Sequence, residues 1–590
     1  MLLPAMLRKA LPNASIGFFL HIPFPDYEGF RALPWRAEVL RGLLGCDLIG
    51  FHTYDYVRHF LSSVLRILGM ENQLGSYLVD GRIVQVDAFP LGIDYAHFRD
   101  AVDSPEVAEA IADFPAWKQR EGCKIMLSVE RLDYSKGIPD RLRAFDAFLR
   151  RYPEWIGRVT LELVAVPSRE DIASYHTLKK RVDELVGRIN GMYSTPDWTP
   201  VDYYYRSAPF DVLVALYRMS DVMLVTPLRD GMNLVCKEYL ATHEGRGGVL
   251  VLSEMAGAAA ELGEAIIVNP FDRDGVAEAI HEALTMPEEE QLRRNAIMQK
   301  RIARYTSEKW IHEFLDTLTD VRSHQEVLNA RLLETTRRTS LLEAYRSAHH
   351  RAILLDYDGT LVPFESDPKA AAPDERLLEI LERLGSADGN AVAILSGRDR
   401  ETLATWFGTL PVDLVAEHGV WYRSAEDQRW VLLEPTDDSW KARVRPALED
   451  YVDRTPGSFL EEKEYSLVWH YRRCASELAS RRAAEIRGTL AEVLGDMGLS
   501  LMDGNKVIEV KQRNIGKGLA AYRWYGDDSY DFILVAGDDV TDEDMFKTAP
   551  PEVWSIRVGT QTTNARFMLR DIASMRGLLE DLGALEAQAR

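Results

Sequence analysis

Short runs that are apolar at every position, rather than at alternate ones, recur along this chain and narrow its fold class more than any other feature. A strand with one solvated face alternates. A continuous apolar run needs cover on both faces, as in a parallel sheet between helical layers. Ile16–Leu20, Ile125–Val129, Leu161–Val166, Val222–Thr226 and Val249–Leu252 read this way, and so do Ile353–Leu355, Val392–Leu395 and Phe532–Ala536. Helical patterns separate them, so the fold class expected is α/β. At 590 residues the chain exceeds one hydrophobic core, and about three or four units are expected.

Between Thr306 and His350 the pattern turns helical and charged, and the main boundary is expected near residue 340. Past Ser396 the rhythm changes. Two helical stretches, Trp440–Val452 and Ser476–Leu494, flank alternating segments such as YSLVWHYR, which reads as an α+β insertion in a second α/β domain.

A net charge of −22 argues against nucleic acid, which selects a basic footprint. It leaves phosphorylated substrates open, because a few local cations suffice for them. The four cysteines form no C-x-x-C pair, so neither a zinc site nor a disulfide framework is expected, and a cytoplasmic location is the simplest. No run reaches the ~18 apolar residues of a membrane span. Arg8 and Lys9 follow the first apolar stretch, the wrong order for a secretory signal.

The strongest chemical signal is Asp356-Tyr357-Asp358-Gly359-Thr360 directly after the run AILL. A strand ending in D-x-D presents two carboxylates at the C-terminal edge of a parallel sheet, where such sheets bind ligands. Asp356 can attack phosphorus, and Asp358 can protonate a leaving oxygen and then deprotonate water. Taken alone this is also what an acidic turn looks like. Three further loops follow in order after strands or at a helix start: Ser396-Gly397-Arg398, Lys517 in NIGKG, and Gly537-Asp538-Asp539-Val540-Thr541-Asp542. They offer a hydroxyl for a phosphoryl oxygen, a cation for its charge, and carboxylates for a hard ion such as Mg²⁺.

This set resembles the haloacid dehalogenase superfamily over about residues 350–590. The resemblance implies Asp356 as nucleophile, Asp358 as acid and base, and Ser396 and Lys517 as phosphate binders, with Lys506 a rival to Lys517. It also implies Asp356, Asp538 and the Asp358 backbone oxygen as Mg²⁺ ligands, with Asp542 a direct or outer ligand. Glu417-His418-Gly419, Glu461-Glu462-Lys463, Ser466–Arg472 and Lys506–Val510 resemble the cap of trehalose-6-phosphate phosphatases. Glu461, Lys463, Glu509 and Arg398 are the candidate sugar-binding residues, against the plainer reading of solvated cap faces. The substrate implied is trehalose 6-phosphate; another sugar phosphate, such as sucrose phosphate, is the alternative.

In the first half, Asp230-Gly231-Met232-Asn233-Leu234-Val235 leads from a strand into a helix bearing Glu238, a start suited to a pyrophosphate. The segment SVERLDYSKG offers Arg131 and Lys136 to one diphosphate. With HIPFP, PSRED, GRING and IVNPFD these strings resemble the trehalose-6-phosphate synthase family from residue 1 to about 320, a glycosyltransferase of two Rossmann-like domains. The resemblance implies glucose transfer with retention from UDP-glucose, or another nucleotide glucose, to glucose 6-phosphate. Arg131 and Lys136 would then stabilise the diphosphate, Asp230 meet the donor glucose, Glu238 the ribose, His21 the reacting sugar and Arg169 the acceptor phosphate.

The domains expected are 1–100, a remnant of the acceptor domain; 101–285, the nucleotide-sugar domain; 286–345, helices and linker; and 346–590, the phosphatase, with its cap at about 438–510. Compared with the family, on the order of a hundred residues of the first Rossmann-like half are expected to be missing before Met1. The synthase half is then completed upstream, or is inactive, or serves as a nucleotide-sugar-binding regulatory module. A homo-oligomer is compatible with the sequence.

Overall fold

The computed structural model describes residues 1–114, 122–169, 172–364, 370–434, 437–474, 476–504, 506–560 and 563–589. The chain forms two compact units. One comprises residues 1–68, 73–76 and 84–322, the other 69–72, 77–83 and 323–590.

In the first unit, strands Gly17–Leu20 and Leu48–Phe51 pair in parallel, and Leu48–Phe51 pairs in parallel with Gln85–Ala88. The helix Tyr54–Leu68 turns Val57, Phe60 and Val64 inward at helical spacing. A second sheet holds six parallel strands in the spatial order Ile266–Val268, Val249–Ser253, Val222–Val225, Lys124–Arg131, Val159–Val166, Val201–Tyr204. Counted along the chain this is 6-5-4-1-2-3, the doubly wound order. Its direction reverses between Lys124–Arg131 and Val222–Val225, where such sheets open a crevice for ligands. The ladder stops at Val225, one residue short of the expected run, as Pro227 approaches with no N–H to donate.

The guanidinium of Arg141 lies in that reversal. It comes from the helix Ile138–Arg151, whose Leu142, Phe145 and Phe148 are buried in the core. It donates to Glu130 at 2.7 Å, Ser128 at 2.7 Å, Thr226 at 2.9 Å and the Lys136 carbonyl at 3.1 Å. One buried cation thus binds the ends of both central strands to the loop between them.

In the second unit six parallel strands run in the order Asp413–Ala416, Asn390–Leu395, Arg351–Asp356, Phe532–Gly537, Trp554–Val558, Phe567–Leu569. Trp421–Arg423 and Trp430–Leu432 extend the first edge antiparallel. The insertion is a four-stranded antiparallel sheet, Phe459–Glu462, Ser466–His470, Val507–Gln512 and Leu499–Gly504. Helices Lys441–Asp453 and Ser476–Asp496 accompany it, and Leu448, Trp469, Ile486, Ile508 and Val510 form the core of this cap. Alternation along Val507–Gln512 sends Ile508 and Val510 into that core and leaves Glu509 on the opposite face.

Removing Arg141 would strand the buried carboxylate of Glu130, whose pKa burial already pushes up. Arg141→Ala is expected to cost the first unit about 3–5 kcal/mol. Because Glu130 can take up a proton in acid, the loss should be larger at pH 8 than at pH 5. Hydrogen exchange of strand Lys124–Arg131 measures it, and unchanged protection at both pH values would contradict the account.

Candidate active sites

Register brings the phosphatase motif together. Asp356 lies beside Leu395, so Ser396 follows at the same edge, and Leu355 lies beside Ala536, so Gly537-Asp538 follows on the other side. The chain must then turn away at once. Gly359 has φ +82°, and a Cβ there would come within 2.2 Å of the Asp538 carboxylate, so only glycine fits. Thr360 Oγ1 donates within reach of both Asp356 at 3.0 Å and Asp538 at 3.2 Å.

Lys517 opens the helix Lys517–Tyr525 and sends its buried ammonium between two carboxylates, contacting Asp356 and lying 2.7 Å from Asp542. Asp542 also accepts the backbone N–H groups of Asp538 and Asp539 at 2.9 and 3.0 Å. Oxygens of Asp356, Asp538 and Asp542 all lie within 4.8 Å of one another. Burial, and then the neighbouring carboxylates, push the pKa values of Asp356 and Asp538 upward. Burial opposes the charge on Lys517, but Asp356 and Asp542 outweigh it and hold the ammonium protonated. An isolated ion pair would lower its carboxylate. Here three carboxylates share one ammonium, so the excess negative charge decides the direction, and a divalent cation matches what the oxygens lack.

Asp358 faces the other way. Its carboxylate is gripped by Arg398 at 2.6 and 2.8 Å, and that guanidinium stacks 4.6 Å over Trp406. Ser396 is buried and its hydroxyl accepts the Arg398 N–H at 3.2 Å. Lys506 sits in the turn between two cap strands, so of the two rival lysines it is Lys517 that stands among the carboxylates.

The cap faces this edge across a cavity of about 460 Å³ whose walls include Asp356, Asp358, Arg398, Lys517, Glu461, Lys463, His470 and Glu509. Glu461 accepts from His470 at 2.6 Å. Lys463 donates to the Gly397 carbonyl at 2.8 Å and lies 3.7 Å from Glu509. Glu509 takes Ser466 Oγ at 2.6 Å and His418 Nε2 at 2.9 Å. All four sugar candidates, Arg398, Glu461, Lys463 and Glu509, therefore line one cavity with the nucleophile candidate.

In the first unit Lys136 Nζ reaches Asp230 Oδ2 at 2.5 Å across the sheet reversal, and Asn233 Nδ2 donates to the same oxygen at 3.0 Å. Gly231 passes so close to the His21 carbonyl that a Cβ would lie 2.0 Å from it. Met232 is buried, Leu234 partly so, and Glu238 belongs to the first turn of Val235–Ala241. Glu238 accepts Tyr217 O–H at 2.7 Å, and burial raises its pKa. Arg169 donates to Tyr175 O–H at 3.0 Å, which in turn donates to Asp133 at 2.9 Å. Arg131 stands exposed at its strand end. Lys136, Asp230, Gly231, Asn233 and His21 are thus neighbours, while Arg131 ends the strand Lys124–Arg131 and Arg169 lies in the loop that follows the adjacent strand Val159–Val166.

Arg141 and His52 have no counterpart in the motif reading, and Thr360 and His418 occur in its strings without a role. Arg141 left one trace, a charge on the apolar face of an amphipathic helix. His52 is buried beside His21, with ring centroids 5.4 Å apart and a pKa pushed down to about 4 by burial.

Residues 1–320 match glycosyltransferase family 20, and residues 354–572 match the trehalose-phosphatase family. A bifunctional trehalose-6-phosphate synthase/phosphatase of Thermoproteus tenax is 44% identical over 586 residues, 99% of this chain and 80% of that protein. Among solved structures, a UDP-forming trehalose-phosphate synthase of Burkholderia xenovorans in complex with glucose-6-phosphate is 36% identical and covers 54% of this chain and 71% of its own, with TM-score 0.52. The N-terminal domain of a Candida albicans trehalose-6-phosphate phosphatase is 35% identical, covering 54% and 68%, with TM-score 0.52. The chain belongs to glycosyltransferase family 20 and joins that domain to a trehalose-phosphatase domain, a fused synthase and phosphatase of trehalose biosynthesis.

Proposed function

We propose that Asp356 captures the phosphoryl group of trehalose 6-phosphate. The observation that carries this reading is the buried contact of Asp356 with Lys517 beside Asp538 and Asp542. An Asp356 oxygen attacks phosphorus as the bond from phosphorus to the sugar oxygen breaks, and Asp358 gives that oxygen its proton. Water then attacks the aspartyl-phosphate, passing its proton to Asp358, and the bond from phosphorus to Asp356 breaks. Asp358 must first leave Arg398, which frees the guanidinium for the substrate. Lys517 holds Asp356 in place and meets phosphoryl charge, and Ser396 supports the loop carrying Arg398. Asp356, Asp538 and Asp542, with the Asp358 carbonyl, would hold Mg²⁺, which when bound neutralises phosphoryl oxygens. Glu461, Lys463 and Glu509 read sugar hydroxyls, as a closing cap can.

In the first unit the donor proposed is UDP-glucose and the acceptor glucose 6-phosphate. Lys136, now paired with Asp230, turns to the diphosphate together with Arg131. Asp230 with the Gly231–Leu234 backbone meets the donor glucose, Glu238 the ribose, His21 the reacting sugar and Arg169 the acceptor phosphate. No described helix is long and apolar enough to cross a membrane, and we infer work in the cytoplasm on small molecules alone.

Phosphate release from trehalose 6-phosphate should exceed that from sucrose 6-phosphate and glucose 6-phosphate. Asp356→Asn should lower it by about 10³-fold or more with folding intact; substantial residual turnover would remove Asp356 from its role. Lys136→Met should slow trehalose 6-phosphate formation by about 10²–10³-fold and leave the phosphatase untouched. Equal activity in that assay would reject the diphosphate contact.

Metal should also move stability in a set direction. Raised carboxylate pKa values make the metal-free folded cluster less favourable as pH climbs above the ordinary carboxylate range. Mg²⁺ needs the deprotonated oxygens, so its thermal stabilisation of the second unit should grow from pH 6 to pH 8. A shift that shrinks with pH, or one kept by Asp538→Asn, would contradict the assignment.

A further inference from the structure

His418 lines the same cavity as Asp356 but has no part in the catalytic or sugar-binding assignments above, yet it holds a costly conformation. Glu417, His418 and Gly419 follow one another with φ of +49°, +58° and +109°, a left-handed stretch that side-chain-bearing residues avoid. Its Nδ1 is buried with no partner among the described residues. Strain of this kind persists where the surroundings impose it.

The surroundings form a closed circuit. The His418 N–H donates to the Ser396 carbonyl at 3.0 Å and the Glu417 N–H to the Arg398 carbonyl at 2.9 Å. These bonds tie the loop after Asp413–Ala416 to the loop after Asn390–Leu395. The imidazole lies against Gly397, where a Cβ would meet Nε2 at 2.3 Å. Nε2 also lies 2.9 Å from Glu509 on the cap. From Glu509 the circuit returns through Lys463, 3.7 Å away, to the Gly397 carbonyl at 2.8 Å. Burial pushes the His418 pKa down to about 4, so the ring is neutral near pH 7 and has one N–H. Glu509, whose pKa Lys463 holds down against burial, is the carboxylate that accepts it. With Gly397 on one side and Glu509 on the other, the ring transmits the cap's position to the Ser396–Arg398 loop.

We infer that His418 is a positioning residue for sugar specificity: it locks the cap's Glu509 to the Ser396-Gly397-Arg398 loop, so that the closed cavity fits a sugar phosphate and not a bare phosphoryl group. The inference rests on the phosphatase reading above. It differs in its prediction, because the chemistry at Asp356 does not pass through His418.

The test uses the full chain and two substrates. One is para-nitrophenyl phosphate. The other is whichever of trehalose 6-phosphate, sucrose 6-phosphate and glucose 6-phosphate the wild type hydrolyses best. His418→Ala should lower kcat/KM for the sugar phosphate by about 10–100-fold, mainly through KM. Hydrolysis of para-nitrophenyl phosphate should change by less than about threefold. His418→Gln, whose amide can donate to Glu509, should recover most of the loss. Equal losses on both substrates, or an unchanged sugar phosphate, would overturn the role. The choice of substrate by the wild type judges the trehalose reading separately.

Discussion

One ammonium, that of Lys517, set between the buried carboxylates of Asp356 and Asp542, is the contact around which the phosphatase unit is organised. Buried ion pairs add little to net stability, because desolvation offsets much of their attraction. What this one provides is placement. It fixes the Asp356 carboxylate at the end of a strand, and the N–H groups of Asp538 and Asp539 fix Asp542 in turn. Asp538 adds a third carboxylate beside the one ammonium, its pKa pushed up by burial and its neighbours, an arrangement that a divalent cation would complement.

The two units use the same device on different sheets. At the reversal of the six-stranded sheet, Lys136 is paired with Asp230. At the edge of the other sheet, Lys517 is paired with Asp356 and Arg398 with Asp358. In each case a cation to which the proposed function gives phosphate is paired with a carboxylate. Under that proposal a phosphorylated ligand competes for the cation and frees a carboxylate for sugar or proton. The order of chemistry follows from the fusion. Glucosyl transfer to a sugar phosphate leaves a phosphorylated disaccharide, the kind of ester that the second unit hydrolyses.

Much of this was legible because strand ends announce themselves. A continuous apolar run followed by D-x-D-G, by S-G-R or by G-D-D has little freedom about where its polar residues point, and Asp356, Arg398 and Asp538 stand at the expected edge. The two helices of the insertion were readable from their period. Contacts that cross sequence were not. Nothing local marks Arg141 as the tie between two strands, since its partners Ser128, Glu130 and Thr226 come from elsewhere. His418 was visible only as part of a string, because its meaning lies in Glu509, brought near by the cap sheet. The pairing of Asp358 with Arg398 was hidden for the same reason: spacing places a side chain at an edge but does not choose its rotamer.

The central claim is that phosphate passes through a covalent bond to residue 356. The direct measurement is a borohydride quench of the enzyme while it turns over trehalose 6-phosphate, followed by peptide mass mapping. An acyl phosphate is reduced where a free carboxylate is not, so the account predicts homoserine at position 356 in the quenched sample and none without substrate. Modification at another carboxylate, or turnover with no reducible intermediate at all, would contradict it.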